Sequence, residues 1–181
     1  MIDESKRYEE ALEFAKAKHD GQFRIGGDAY ITHPIAVAGY VGEWGYGAEY
    51  KLTALFHDLL EDTDATEEEI LNLGGRKVLE AVKLLTKRDG YVMEEYVGAI
   101  RKNSIAKVVK AADRLHNLRC AVAADAEFKR RYILESVDWY LSFSPEIPKA
   151  VKALAETLDT PLADLPFVYE SIKIWKTNKK N

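Results

Sequence analysis

The chain has 181 residues, of which 47% are hydrophobic and 31% are charged, and its formal net charge is −4. This balance predicts one globular domain with a sizeable core and excludes disordered and fibrous classes. The longest apolar runs are too short to cross a bilayer. The negative charge disfavours binding of duplex nucleic acid through counterion release, but it permits a small anionic ligand in one cleft.

Cys120 is the single cysteine of the chain, so no internal disulfide can form. One thiolate also excludes a zinc site built from several cysteines. Residues Met1–Ser5 lack the basic and then apolar pattern of a secretory signal. We therefore expect a cytoplasmic protein that does not associate with membranes, and the sequence leaves its oligomeric state open.

The first third of the chain predicts three helices. An apolar stripe at helical spacing marks the first of them, with Tyr8, Leu12 and Ala15. A glycine-rich loop over residues 21–32 precedes the second helix, which has Pro34 in its first turn. The break at residues 42–47 ends that helix. One continuous third helix is then expected to carry Leu52, Leu55, Phe56, Leu59 and Leu60.

The rest of the chain is also predicted to be helical. Thr66–Glu69 has the capping-box pattern that opens a short helix, and Ser104 is the expected cap of a later one. The remaining predicted helices are 77–85, one around Val92, Tyr96 and Ile100, 127–142, 147–158 and Leu162–Trp175. With no repeat and no convincing strand pair, we expect an all-α, multi-helix fold in a single domain over residues 1–181.

His57 and Asp58 stand side by side inside an apolar run. An ionised carboxylate in such a place needs a counter-charge, because burying it alone costs several kcal/mol or more. Positions 53–62 contain no lysine or arginine. A bound cation would supply the charge, whereas a hydrogen-bonded core histidine beside a capping aspartate is the alternative.

Asp113 and His33 extend this pattern. Asp113 borders the apolar stripe of its own helix, where an ion pair with Arg114 or Arg119 is the alternative explanation. His33 alone could be a helix cap or a hydrogen-bonded core histidine. Together with His57 and Asp58 they provide two imidazoles and two carboxylates. Such a mixed nitrogen and oxygen set suits manganese, iron or zinc better than calcium or magnesium.

Glu61 lies four residues beyond His57 on the same predicted helix face. A carboxylate near a metal ion, but not binding it, can orient or deprotonate an attacking water, and Asp62 could share that task. The alternative is an ordinary acidic helix end beside Thr63 and Asp64.

Three segments, in this order, resemble the HD superfamily of metal-dependent phosphohydrolases. They are similar above all to the hydrolase domain of the RelA/SpoT proteins and the small alarmone hydrolases. The segments are Gly21–Arg24 with Ala29–Ala38, Ala54–Thr63, and Val109–Arg119. The resemblance is good over residues 8–119 and weak over 120–181, and it includes no synthetase domain.

The resemblance implies an HD-domain fold in which His33, His57, Asp58 and Asp113 hold one manganese ion. It further implies that Glu61 and Asp62 activate water, and that Arg24 and Asn117 contact the nucleotide. The implied reaction is hydrolysis of guanosine tetra- or pentaphosphate at the 3′ position, which gives pyrophosphate and GDP or GTP. Arg24 could alternatively be a solvated loop residue.

Two positions depart from the family pattern. Ile25 stands where a basic residue is usual, and Cys120 where threonine is common. Both concern nucleotide recognition, so the candidates for the missing positive charge are Lys18, Lys87, Arg88, Arg114 and Arg119. The sequence leaves open an HD phosphohydrolase of a deoxynucleotide, an adenosine alarmone or NADPH, a non-catalytic metal-bearing nucleotide sensor, and a plain helical interaction module.

Overall fold

The computed structural model describes residues 4–158, which are predominantly helical. The helices are α1 (Glu4–Lys18), α2 (Thr32–Glu43), α3 (Ala48–Phe56), α4 (Leu59–Asp62), α5 (Glu67–Gly74), α6 (Arg76–Leu85), α7 (Met93–Lys102), α8 (Ser104–Cys120), α9 (Ala126–Trp139) and α10 (Ile147–Ala155), with a 3₁₀ turn over Ala121–Ala123. Within residues 4–158 no strand forms, and one isolated bridge pairs Phe23 with Ala29. The predicted all-α class is confirmed. The predicted helix Leu162–Trp175 lies outside the described residues.

The chain divides into two compact units, Met1–Asp113 and Arg114–Asn181. In the first unit α3 is central, because it packs against α1, α2, α5 and α6. The fully buried side chains around it include Val37, Val41, Leu52, Leu55, Phe56 and Ile70. In the second unit α9 packs on α10 around a core of Ile133, Tyr140, Ile147 and Leu154. The single domain over residues 1–181 stays a prediction. Among residues 4–158, no helix meets the length and hydropathy needed to span a membrane.

Two predicted helix starts have different outcomes. The capping box that opens α5 is confirmed, because the Thr66 hydroxyl accepts the Glu69 N–H at 3.2 Å and the Glu69 carboxylate accepts the Thr66 N–H at 2.8 Å. The predicted cap Ser104 is wrong. The Asn103 side-chain oxygen accepts the Ala106 N–H at 2.9 Å, so Asn103 is the residue that caps the start of α8.

The expected continuous third helix is interrupted at His57 and Asp58. It ends as α3 at Phe56 and resumes as α4 at Leu59. The His57 ring is 2.7 Å from the Ala54 carbonyl, the acceptor that a continuous helix would offer to the N–H of Asp58. A helix restarts with Asp62 N–H donating to the Asp58 carbonyl at 2.9 Å. The side chain thus competes with the helical ladder where the polar pair occurs.

Candidate metal centre

Four predicted ligands meet at one point of the first unit. His33 Nε2 lies 3.2 Å from His57 Nε2, 3.6 Å from Asp58 Oδ2 and 3.2 Å from Asp113 Oδ1. His57 Nε2 lies 3.1 Å from Asp58 Oδ2 and 3.9 Å from Asp113 Oδ1. The two histidines and Asp58 each offer a ligand atom within 4.8 Å of the others. The structure therefore brings together residues from α2, the α3–α4 junction and α8.

The cluster is closed on most sides. His33 and His57 are 1% and 2% exposed and Asp113 is 5% exposed, whereas the Asp58 side chain keeps 20% of its exposure. Polar groups at such depth need partners, and here most of the contacts are with one another. Solvent therefore reaches the cluster from the side of Asp58.

Local bonds orient the two histidines. The backbone N–H of His33 donates to the Tyr30 carbonyl at 2.9 Å in the first turn of α2. Nδ1 of His57 lies 2.7 Å from the Ala54 carbonyl, which can only accept, so Nδ1 carries the hydrogen. Once His57 is neutral, that tautomer directs the lone pair of Nε2 toward the cluster, as in histidines that bind metals.

The cluster supplies its own counter-charges when no ion is bound. Burial opposes a charge on His57, but the Asp58 carboxylate outweighs it and raises the pKa of His57 to about 9. Burial likewise opposes ionisation of Asp58, and the charge and hydrogen bond of His57 hold the pKa of Asp58 below its usual range. For His33 burial prevails and lowers its pKa. In the apo protein one imidazolium therefore neutralises part of the carboxylate charge.

The distances fit a single transition-metal ion. An ion bonded at about 2.1 Å would separate neighbouring ligand atoms by about 3.0 Å and opposite ones by about 4.2 Å. The separations among His33, His57, Asp58 and Asp113 given above run from 3.1 to 3.9 Å. Two neutral imidazoles and two carboxylates would balance a divalent ion. The donor atoms of these four residues therefore fit one divalent metal ion.

Lys110 is a residue at the site that sequence reasoning missed. Its ammonium is 2.7 Å from Asp113 Oδ2, and both side chains are buried. Burial opposes ionisation of Asp113, but the charge of Lys110 holds the pKa of that carboxyl well below its usual value. The two residues are three positions apart on α8, a spacing that brings side chains together. Lys110 is thus a cation beside Asp113, and Arg114, one of the predicted alternatives, contacts Glu135.

Glu61 and Asp62 lie on α4, one turn beyond Asp58, and both are exposed. Glu61 accepts the backbone N–H of Lys87 at 2.8 Å, and Asp62 accepts a bond from the Tyr30 hydroxyl at 3.1 Å. Partial burial is the main reason that the pKa of each of these two carboxyl groups is raised. The negative charge of Asp58 raises both pKa values further. Carboxylates with raised pKa values beside a set of candidate metal ligands can act as proton acceptors.

The predicted nucleotide contacts are less enclosed. Arg24 lies in a tight turn in which Gly26 and Gly27 adopt positive φ angles of 114° and 94°, and its guanidinium carbon is 6.0 Å from the centre of the Tyr30 ring. Ile25 is 72% exposed beside it. Asn117 is half-buried on α8, one turn beyond Asp113, in the second unit.

The other candidate cations mostly have acidic neighbours. Lys18 lies 3.0 Å from Asp64 and 3.1 Å from Glu69. Arg88 lies 3.5 Å from Glu67. The ammonium of Lys87 lies over the ring of Tyr91, 5.2 Å from its centre, and its backbone holds Glu61.

An all-α fold whose helices gather two histidines and two aspartates is the arrangement of an HD domain. Residues 11–144 match the HD domain family, and the chain belongs to it. Membership implies a divalent metal, and the described residues offer a site for one.

The more particular relatives are alarmone enzymes. The chain is 35% identical over 149 residues to the bifunctional (p)ppGpp synthase/hydrolase SpoT of Escherichia coli, covering 76% of this chain and 21% of that protein. It is 33% identical over 179 residues to the guanosine-3′,5′-bis(diphosphate) 3′-pyrophosphohydrolase of Spiroplasma citri, covering 92% of this chain and 24% of the relative. The chain thus spans less than a quarter of the length of these relatives.

A solved structure shares the fold of this chain over nearly the whole length of the solved chain. It is a metazoan ortholog of SpoT that hydrolyses ppGpp, with a TM-score of 0.68 and 25% sequence identity. The match covers 83% of this chain and 94% of that one.

Proposed function

We propose that this protein hydrolyses the 3′-pyrophosphate of guanosine tetra- or pentaphosphate, with one manganese ion held by His33, His57, Asp58 and Asp113. The observation that carries the proposal is the four-residue cluster, whose open side adjoins two exposed carboxylates. The names of the relatives and of the solved structure supply the substrate class. A divalent ion bound there would act as a Lewis acid toward phosphate oxygens.

The proposed reaction is addition of water to the phosphorus attached to the ribose 3′ oxygen. The bond between that phosphorus and the 3′ oxygen breaks, so pyrophosphate carries the new oxygen and the 3′ oxygen takes a proton. Glu61 and Asp62 accept the proton of the attacking water. The bond from the Lys87 N–H holds Glu61 in one orientation, leaving its second oxygen able to accept.

Recognition of the nucleotide is assigned to Arg24 and Asn117. A planar guanidinium can stack on a purine and also bond to phosphate oxygen, and the exposed turn that carries Arg24 leaves room for a base. An amide at Asn117 can donate and accept hydrogen bonds.

We place the protein in the cytoplasm, in keeping with its single cysteine.

The test is incubation of the purified chain with manganese and guanosine tetraphosphate, followed by identification of the products. We expect GDP and pyrophosphate in equal amounts, and no turnover after chelation of the metal. Release of orthophosphate, or no product from a protein that retains manganese, would reject the proposal.

A second candidate is a phosphohydrolase of another nucleotide, and Ile25 favours it. This exposed apolar residue occupies the position where the resemblance leads us to expect a basic one. Deoxynucleotides, an adenosine alarmone and NADPH should be assayed in the same panel. Turnover of one of these at a kcat/KM above that of guanosine tetraphosphate would replace the first proposal and keep the metal site.

A further inference from the structure

Tyr30 contacts two carboxylates that have different proposed tasks. Its hydroxyl oxygen lies 2.7 Å from Asp58 Oδ2 and 3.1 Å from Asp62 Oδ2. The first of these oxygens also faces both histidines of the cluster, and the second belongs to a proposed proton acceptor. One hydroxyl thus connects a metal ligand to the base beside it.

The surrounding loop fixes the position of that hydroxyl. The Tyr30 ring stacks on the buried His19 ring, with centres 4.7 Å apart and planes 30° apart. The side chain of Gln22 lies 2.8 Å from Nδ1 of His19 and donates to the Asp62 carbonyl at 2.7 Å. The backbone N–H of Tyr30 donates to the Gln22 carbonyl at 2.9 Å. The loop therefore anchors both the tyrosine and the backbone of Asp62.

We propose that Tyr30 is a positioning residue, whose hydroxyl sets the orientation of both the Asp58 and the Asp62 carboxylates. The hydroxyl has one hydrogen, so it can donate to only one of the two ionised groups at a time. The shorter distance favours Asp58, and in that state the hydroxyl oxygen confronts Asp62. The rotation of either carboxylate therefore changes the bond available to the other.

Each contact has its own consequence. The bond to Asp58 holds the oxygen that points at His33 and His57, so its loss should weaken metal binding, as the loss of partners of metal ligands does. The contact with Asp62 restrains an exposed side chain, so its loss should lower the rate of the chemical step. This second consequence rests on the proposed function, whereas the first needs only the metal.

The test is Tyr30→Phe, which removes the hydroxyl and keeps the ring on His19. Tyr50→Phe is the matched control, because it removes a tyrosine hydroxyl that contacts Ser104, at 3.4 Å, and no proposed metal ligand is its partner in that bond. We expect Tyr30→Phe to raise the manganese dissociation constant about tenfold in a titration without substrate. At saturating manganese we expect kcat to fall about tenfold with KM changed less than about twofold, because the hydroxyl does not touch the substrate.

A double-mutant cycle separates positioning from mere packing. At saturating manganese in an Asp62→Asn background, Tyr30→Phe should lower kcat by less than about twofold, since the carboxylate through which it affects the chemical step is already gone. Thermal unfolding of Tyr30→Phe should match that of the parent. An unchanged manganese affinity, or effects on kcat that multiply fully in the double variant, would overturn the inference. If the parent binds manganese but hydrolyses no nucleotide, the proposed function fails and the manganese titration alone decides the role of Tyr30.

Discussion

Two regions of the first unit differ in how far packing defines them. The cluster of His33, His57, Asp58 and Asp113 is almost closed to water, and its members contact one another across three helical segments. The region that carries Glu61, Asp62 and the turn around Arg24 is exposed. Glu61 accepts one bond from the Lys87 N–H, and Asp62 lies 3.1 Å from the Tyr30 hydroxyl.

Under the proposed function, this contrast would separate metal binding from substrate recognition. A buried donor set tolerates little change, because each histidine of the set is paired with one of its aspartates. Exposed residues on a glycine-containing turn can vary without disturbing the core. The departure at Ile25 lies in the exposed region, which is where a change of nucleotide preference would be tolerated.

The largest effect should come from breaking the buried region. We expect Asp113→Asn to lower manganese affinity and turnover by more than about 100-fold, because it replaces the negative charge of a proposed ligand with a neutral amide. Metal content after gel filtration and steady-state turnover are the measurements, with Asp138→Asn as the exposed control. A variant that retains the full complement of manganese would show that Asp113 is not a ligand.

A change in the exposed region should leave the metal in place. Glu61→Gln is expected to reduce kcat by about 100-fold or more, because an amide cannot accept the proton of water. Manganese content should equal that of the parent. Glu68→Gln, which changes another exposed glutamate in the same way, provides the control. Unchanged turnover in Glu61→Gln would remove this residue from the mechanism.

The pH dependence of manganese binding tests the charges of the buried region. Below the His57 pKa of about 9 the metal-free protein holds a proton that the ion must displace. Affinity should therefore rise with pH, by up to about tenfold per unit, and level off above that pKa. Calorimetry in buffers of different ionisation enthalpy should detect proton release near neutral pH. Binding without proton release would contradict an imidazolium in the apo cluster.

The smallest effect should come from the turn. Arg24→Ala is expected to raise KM about fivefold and leave kcat nearly unchanged, which is the size of one exposed cation–π or phosphate contact. Arg76→Ala, an exposed arginine on α6, is the control for a change of net charge. An equal effect of both substitutions would mean that Arg24 acts only through the overall charge of the protein.

The sequence predicted the fold class, and it singled out four residues, His33, His57, Asp58 and Asp113, that the structure brings together. Helical periodicity and the capping box at Thr66 are local properties, so they could be read without coordinates, and the resemblance to the HD family is confirmed by the family match. The sequence could not predict that the third helix breaks at His57, because that break depends on an imidazole competing for a backbone carbonyl.

The sequence by itself determined which polar residues stand inside apolar helical segments, where a residue of that kind needs a functional reason. Tertiary structure decided which of them meet. The proximity of Tyr30 to Asp58 and Asp62 joins residues 28 and 32 positions apart in the chain. Such contacts follow from the packing of helices and the path of a loop, and side-chain type and spacing do not specify either one.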